Sequence, residues 1–230
     1  LQIGSKRSQL PALLPITEDL VHFWGWWLAE GSYMKSAVRL SLHSDELEYM
    51  VSLSQRLFGS CTVYHKKNSL GADIFVHSKA LKIIIEKILG FISGSTQKKV
   101  PPLLYNLDQD RTAAFLRGYF SGDGSVNRHG SAPQVEASSA SAELIDDLAY
   151  LLSYFGIVAK IYDKPSEKSK RLTFASFDNL NKFREIGFVD HNRNKVIFDY
   201  INRSKFSRES QIPLVGKVAE LVHSTPKLSS

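Results

Sequence analysis

Cysteine is almost missing: Cys61 stands alone in a chain of 230 residues. That excludes an intrachain disulfide and a cysteine-based zinc site, and it fits a reducing compartment. Seven histidines are scattered without an HxH or HExxH spacing, so no histidine metal motif is read. Long apolar runs are lacking too. The most membrane-like stretch, Leu20 to Ala29, is about ten residues and is broken by His22, where a span needs about 20. No basic-then-apolar leader is read. No membrane partner and an intracellular location, cytoplasmic or nucleoid-associated, are therefore expected. Leu1 in place of Met suggests a piece of a longer precursor.

What is present is ordinary globular material: 43% hydrophobic and 23% charged residues, enough for a sizeable core and too apolar for a disordered chain. Lys and Arg number 29 against 23 Asp and Glu, a net charge of +6. With a pI near 9.3, this permits an anionic partner such as nucleic acid without requiring one.

The informative feature is an internal repeat. Phe23-Trp-Gly-Trp-Trp-Leu-Ala-Glu-Gly31 lies on Leu116-Arg-Gly-Tyr-Phe-Ser-Gly-Asp-Gly124 at an offset of 93. Ser44-Asp-Glu-Leu47 lies on Ser141-Ala-Glu-Leu144, Phe58-Gly59 on Phe155-Gly156 and Gly90-Phe-Ile92 on Gly187-Phe-Val189, each at 97. Lys99-Val100 lies on Lys195-Val196 at 96. The common order makes chance a poor explanation.

Each copy reads as helix, strands, helix, strands, helix. In the first, Thr17-Glu18-Asp19 opens a helix to about Ala29, with acids in its first turn. Val38 to His43 alternates as a strand. Ser44 caps a helix to Phe58, and Cys61 to His65 and Ala72 to His77 are strands. Lys79 to Leu89 is a helix ended by Gly90. In the second, Asp110 to Phe120 is a helix and Val126 to Ser138 a hairpin. Ser141 caps a helix to Phe155, Val158 to Tyr162 and Arg171 to Ala175 are strands, and Phe177 to Ile186 is the last helix. Val100-Pro-Pro102 to Asp110 is the linker, since Pro-Pro resists helix and central strand alike. The expected division is an N-terminal arm (1–16), a first repeat (17–100), a linker (101–110), a second repeat (111–206) and a C-terminal tail (207–230).

The repeated first helix carries chemistry. Gly25 and Ala29 share one face, as do Gly118 and Gly122. Small residues four apart let two backbones approach closely, and each interior Gly costs about 1 kcal/mol against Ala, which suggests such packing. Glu30 and Asp123 end the two helices ahead of Gly31 and Gly124. A carboxylate there opposes the helix dipole, and two that meet repel unless protonated or bridged by a cation. A hard divalent ion such as Mg²⁺ takes oxygen ligands from one or two carboxylates plus waters and phosphates, the arrangement of metal-assisted phosphodiester hydrolysis.

These two segments resemble the paired signature helices of the LAGLIDADG homing endonucleases in their single-chain, two-repeat form, over roughly residues 17 to 200. The resemblance implies an α/β (α+β) fold of two pseudo-symmetric αββαββα repeats whose sheets form a DNA-binding saddle. It also implies a monomer that cuts double-stranded DNA with Mg²⁺, each signature acid serving one half-site. Glu30 departs from the consensus Asp but keeps the carboxylate. Leu28-Ala-Glu-Gly-Ser32 looks like the first motif of intein-borne members, and Ile3-Gly-Ser-Lys-Arg7 and Ile212-Pro-Leu-Val-Gly216 resemble intein flanks. Leu1 and Ser230 supply neither the nucleophile nor the terminal Asn of self-splicing. Trp24, Trp26 and Trp27 read as core aromatics.

Family members place basic residues near the metals, which here implies Lys98 and Lys195, with Lys99 and Arg193 close behind. Such a cation stabilises charge developing on phosphate or leaving group. DNA contacts are expected from Lys35, Arg39, Lys66 and Lys67 in the first repeat. In the second they are expected from Arg128, Lys160, Lys164, Lys168, Lys170 and Arg171. The competing expectation is a binding protein on the same scaffold, an RNA maturase or a non-cleaving DNA regulator.

Overall fold

The computed structural model describes residues 2–3, 10–11, 13–67, 69–129, 132–164 and 168–203. The expected tail and half of the N-terminal arm lie outside them. Two short antiparallel strands, β1 (Gln2–Ile3) and β2 (Leu10–Pro11), precede the repeats. The first repeat runs α1 (Glu18–Glu30), β3 (Gly31–Tyr33), β4 (Val38–His43), α2 (Ser44–Phe58), β5 (Thr62–His65), β6 (Gly71–Val76) and α3 (Lys79–Ile83). A 3-10 turn at Pro102–Asn106 leads to the second: α4 (Gln109–Asp123), β7 (Gly124–His129), β8 (Ala132–Ser139), α5 (Ala142–Ser153), β9 (Lys160–Lys164), β10 (Ser169–Phe174) and α6 (Phe177–Phe183). Each repeat is αββαββα. Both sheets are antiparallel with the same order, β3-β4-β6-β5 and β7-β8-β10-β9. The registers also match: Gly31 lies opposite Leu40, and Gly124 opposite Ala137.

The local chemistry explains the boundaries. Thr17 accepts from Leu20 N–H at 3.2 Å and Asp108 from Arg111 N–H at 3.0 Å, capping α1 and α4. The cap of α2 is His43 rather than the expected Ser44. β4 runs straight into the helix, so its last residue takes over: His43 accepts from Asp45 N–H, and Glu46 accepts from His43 N–H at 2.9 Å. The helix expected over Lys79 to Leu89 is α3 followed by a π-helical turn, Ile84–Ile88. Three successive β-branched residues, Ile83 to Ile85, crowd the backbone there. Phe177 to Ile186 is not the last helix. α7 (His191–Arg203) follows and buries Ile197 and Ile201, one turn apart.

One face of each sheet is the core. Val38, Leu40 and Leu42 of β4 are buried, as are Val135 and Ala137 of β8 and Leu172 and Phe174 of β10. Met50 and Leu53 of α2 and Leu144, Leu148 and Leu151 of α5 supply helical partners to this core. The opposite faces carry Arg39, Ser41 and Tyr64 in one sheet and Glu136, Ser138 and Tyr162 in the other, by the period-two alternation of strands.

α1 and α4 are the most extensively packed pair of elements. A Cβ placed on Gly25 would lie 2.1 Å from the Phe115 carbonyl oxygen, and one on Gly118 would lie 2.2 Å from the His22 carbonyl oxygen. These backbones touch with no room for a methyl. Trp24, Trp26, Trp27, Phe115, Tyr119 and Phe120 are buried around that contact, so the tryptophans are core residues. His22 spans the seam: its Nδ1 lies 3.0 Å from the Ala114 oxygen, and Trp26 Nε1 donates to its Nε2 at 3.1 Å. That pair of bonds requires the neutral ring with its proton on Nδ1, and burial pushes the His22 pKa down to about 4.

Gly25→Ala and Gly118→Ala are each expected to destabilise the chain by about 3 kcal/mol, because the methyl meets backbone that cannot yield and overpacking outweighs the gain in helix propensity. Urea unfolding midpoints check this. A midpoint equal to that of the unaltered chain would show that the helices are not in backbone contact.

Candidate active site at the paired helix ends

α1 and α4 cross at Gly25 and Gly118 and deliver their C-terminal turns side by side. A Cβ on Gly122 would stand 2.7 Å from Ala29 Cβ and 3.3 Å from Glu30 Cγ. Glu30 thus packs against the turn that carries Asp123. Gly31 and Gly124 then turn each chain into the first strand of its sheet, their N–H groups bonding back to the Trp27 and Phe120 carbonyls.

The two carboxyls are unequal. Burial pushes the Glu30 pKa up to about 7, with Asp123 and Glu46 adding to the rise and Lys98 and Lys66 opposing it. Burial raises Asp123 to about 6, opposed by Lys98 and by the Tyr119 hydroxyl. Asp123 keeps its outer edge in water while its flanks are embedded in protein. A charge on Asp123 raises the pKa of Glu30, so the two carboxyls do not ionise independently. Tyr119 is fully buried four residues before Asp123, and its hydroxyl faces the carboxyl without a well-formed hydrogen bond.

Two cations neutralise the helix ends. Lys98 Nζ donates to the Ala29 carbonyl at 2.5 Å, and burial lowers its pKa against the pull of Asp123 and Glu30. On the second helix the partner is Arg193. Its guanidinium donates to the Ser121 oxygen at 2.8 Å, the Gly124 oxygen at 2.9 Å and the Phe120 oxygen at 3.3 Å, and it pairs with Asp190 at 3.1 Å. It also lies over the Phe188 ring. Lys195 is exposed on α7. Two residues apart on a helix point about 200° apart, so when Arg193 faces α4, Lys195 faces away. Lys99 pairs with Glu143 at 3.5 Å.

The remaining expected cations divide by face. Arg39, Lys160, Lys164 and Arg171 occupy outer-face positions of the sheets. Lys66 follows β5 and pairs with Asp73 at 3.1 Å. Lys35, Lys67 and Lys168 are exposed in turns. Lys170 instead pairs with Asp146 of α5 at 3.3 Å, on the helical side of its sheet. Arg128 sits on β7 opposite Pro133; its side chain lies outside the described residues. Glu46, Tyr119 and the His22–Trp26 bond were not anticipated. The four-residue spacings Tyr119–Asp123 and His22–Trp26 were the available signals.

Among the described residues no group of three or more His, Cys, Asp or Glu side chains could hold a metal. A two-carboxylate site is nonetheless what a hard divalent ion uses when water and substrate phosphates complete its shell. Two carboxyls whose pKa values are raised by burial, Glu30 also by the charge of Asp123, are donors that such a charge would favour in their ionised form. The donor set fits a hard divalent cation, which Glu30 and Asp123 would hold.

The pKa shifts fix a pH prediction. Folded Glu30 holds its proton up to about 7 where the unfolded residue loses it near 4.5, so its contribution to stability falls as pH rises through that window. Asp123 acts in the same sense from 3.8 to about 6. His22 acts oppositely, losing stability as pH drops from 6.5 toward 4. Without divalent metal, Glu30→Gln should melt higher than the unaltered chain at pH 8 and alongside it at pH 4. His22 is common to both and cancels. Equal melting temperatures at pH 8 would mean that Glu30 ionises without cost.

A family model described as LAGLIDADG-like domain matches residues 110–187. The chain is 29% identical to the replication factor C small subunit of Methanocaldococcus jannaschii, over 87% of this chain and 11% of that protein. It is 27% identical to the DNA polymerase II large subunit of Thermococcus kodakarensis, over 98% of this chain and 14% of that protein. It is 35% identical to a probable translation initiation factor IF-2 of M. jannaschii, over 57% of this chain and 12% of that protein. The chain thus spans little more than a tenth of the length of these three curated relatives. Among solved structures, full-length DUF199/WhiA from Thermatoga maritima aligns with 93% of this chain and 66% of its own, at 18% identity and a TM-score of 0.57. I-DmoI in complex with DNA and Mn aligns with 77% and 99%, at 14% identity and a TM-score of 0.57. Residues 110–187 thus match the LAGLIDADG-like domain model, and the chain as a whole has the fold shared by the LAGLIDADG homing endonucleases and DUF199/WhiA.

Proposed function

We propose that this chain is a site-specific, divalent-cation-dependent endonuclease of double-stranded DNA, working as a monomer whose two repeats (17–100 and 111–206) each serve one half-site. The observation that carries this reading is the matched pair Glu30 and Asp123, brought together on backbone-contacting helices with a cation at each helix end. I-DmoI, with the same fold, is bound to DNA and Mn. Bound Mg²⁺ would lower the pKa of water and screen phosphate charge. Glu30 and Asp123 would hold it. Lys98 sits where its ammonium, anchored on the Ala29 carbonyl, can meet negative charge growing on the scissile phosphate or its leaving oxygen. Arg193 spends its donors on three carbonyls and Asp190, which suits it to holding the end of α4 in place. The polar sheet faces, with Arg39, Lys160, Lys164 and Arg171, would lie against the duplex, and Lys35, Lys66, Lys67, Arg128 and Lys168 would add phosphate contacts.

The relatives support a mobile origin. A replication factor, a DNA polymerase subunit and a translation initiation factor share no activity, yet each matches this chain over little more than a tenth of its length. A segment inserted into unrelated hosts accounts for that, and an intein-borne endonuclease is such a segment. The second reading is an RNA maturase or a non-cleaving DNA regulator on the same scaffold, since fold does not dictate activity.

Incubation with Mg²⁺ and the host coding sequence lacking the segment should give a double-strand break. Glu30→Gln and Asp123→Asn should each reduce cutting by at least a hundredfold (~2.7 kcal/mol of barrier) while binding in Ca²⁺ persists. Tight binding without any break, by the unaltered chain, would establish the non-cleaving reading. Lys98 lowers both carboxyl pKa values, so Lys98→Met should move the acid limb of the rate–pH profile upward by about one unit. An unmoved limb would place Lys98 away from the acids.

A further inference from the structure

Each sheet face holds an arginine–carboxylate pair at the same place and with opposite polarity, and on the first face Lys66 joins it, 3.1 Å from Asp73. Register fixes the equivalence. Gly31 opposite Leu40 corresponds to Gly124 opposite Ala137, so Arg39 of β4 takes the position of Glu136 of β8. Arg39 lies opposite Phe75 and Glu136 opposite Thr173, while Ser41 lies opposite Asp73 and Ser138 opposite Arg171. Asp73 of β6 therefore takes the position of Arg171 of β10. The first repeat has arginine on its second strand and acid on its third; the second repeat has the reverse. The surroundings are not exchanged: Tyr64 and Tyr162, both exposed, also correspond.

In each pair the carboxylate is sunk and the guanidinium reaches outward. Asp73 and Glu136 side chains are 9% and 12% exposed, Arg39 and Arg171 36% and 29%. Asp73 accepts from Ser41 at 2.8 Å and lies 3.9 Å from Arg39, whose Nε donates to Ser32 at 2.8 Å. Glu136 lies 3.3 Å from Arg171, and Glu136 Oε2 and Arg171 Nε are buried without a well-formed hydrogen bond. An arginine held from beneath by a carboxylate loses little freedom on binding and presents its donor fork, which matches the O6 and N7 edge of guanine in the major groove.

Resting on the endonuclease reading, we propose that Arg39 and Arg171 are the guanine-reading residues of the two half-sites, with Asp73 and Glu136 as their positioning residues, and that the inverted polarity makes the target asymmetric at that step. Diagonal neighbours on adjacent strands stand about 7–8 Å apart, so the second arginine is displaced by that much from the symmetric place. At ~3.4 Å of rise per base pair, the two guanines fall about two steps away from symmetry-related positions.

The test is selection from a pool of randomised 24-base-pair duplexes (a length of about two helical turns) with Ca²⁺ in place of Mg²⁺. The full chain should enrich one guanine in each half, offset as stated. Arg39→Lys and Arg171→Lys keep the charge but lose the fork, and each should relax one of those positions by about tenfold to a hundredfold with the salt dependence unchanged. Asp73→Asn and Glu136→Gln should relax the same positions as their arginines, at a melting temperature close to the parent's. The exchange Arg39→Glu with Asp73→Arg should carry the first-half guanine about two steps, to the place symmetric with the other. Arginine variants that weaken every duplex equally would overturn the inference and make both residues phosphate contacts. Failure of the unaltered chain to enrich any sequence would overturn the endonuclease reading itself.

Discussion

Backbone contact between α1 and α4 is the constraint from which the rest of the structure follows. Where Gly25 meets the Phe115 carbonyl and Gly118 meets the His22 carbonyl, no side chain separates the two helices, so neither can rotate or slide without collision. Packing at that density converts a sequence repeat into a spatial one. Each helix then hands its chain directly into a sheet at Gly31 and Gly124, and the orientation of both sheets is inherited from the seam. The tryptophans on α1 and the phenylalanines on α4 fill the flanks. His22 adds a hydrogen bond across the seam from Nδ1, while Nε2 of its neutral form accepts from Trp26 within α1.

The same contact creates an electrostatic cost. It aligns two helix C-termini, each with carbonyls facing outward and each ending in an acid. The dipoles and the carboxylates repel one another, and burial makes the repulsion larger. The fold offsets part of this with Lys98 and Arg193, which reach the helix-end carbonyls from the segments that close each repeat. They do so differently. Arg193, on α7, spreads over three carbonyls and an aspartate and stacks on Phe188. Lys98, in a segment that is neither helix nor strand, touches one carbonyl and is drawn by both acids. The residual strain sits on the Glu30 and Asp123 carboxyls as raised pKa values, which is the form in which a site stores affinity for a cation.

The sheets show what duplication leaves to diverge. Their cores are alike, because Val38, Leu40 and Leu42 answer to the same packing demand as Val135 and Ala137. Their outer faces answer only to what lies against them. Each face carries an arginine–carboxylate pair, with the polarity of one the reverse of the other, so the two faces present different patterns of donors.

Much of this was legible in residue order. The repeat, the small-residue faces of α1 and α4 and the acids at their ends follow from local spacing, and local spacing is what a linear pattern records. Strand Val38–His43 and helix α5 with its Ser141 cap follow from alternation and capping chemistry. The elements that went unread depend on distant partners. α7 is stabilised by burying Ile197 and Ile201 against the rest of the second repeat, so its own polar surface gave little sign of it. His43 caps α2 only because β4 delivers it there. Lys195 and Arg193 are equally basic, and only the helical twist of α7 decides which meets the end of α4. Lys170 and Arg171 are neighbours in sequence and lie on opposite faces of one strand, one bound to Asp146 of α5 and the other to Glu136. Spacing along the chain set which side chains could act together; the closure of the two helices on each other, and the parity of each strand, decided which of them do.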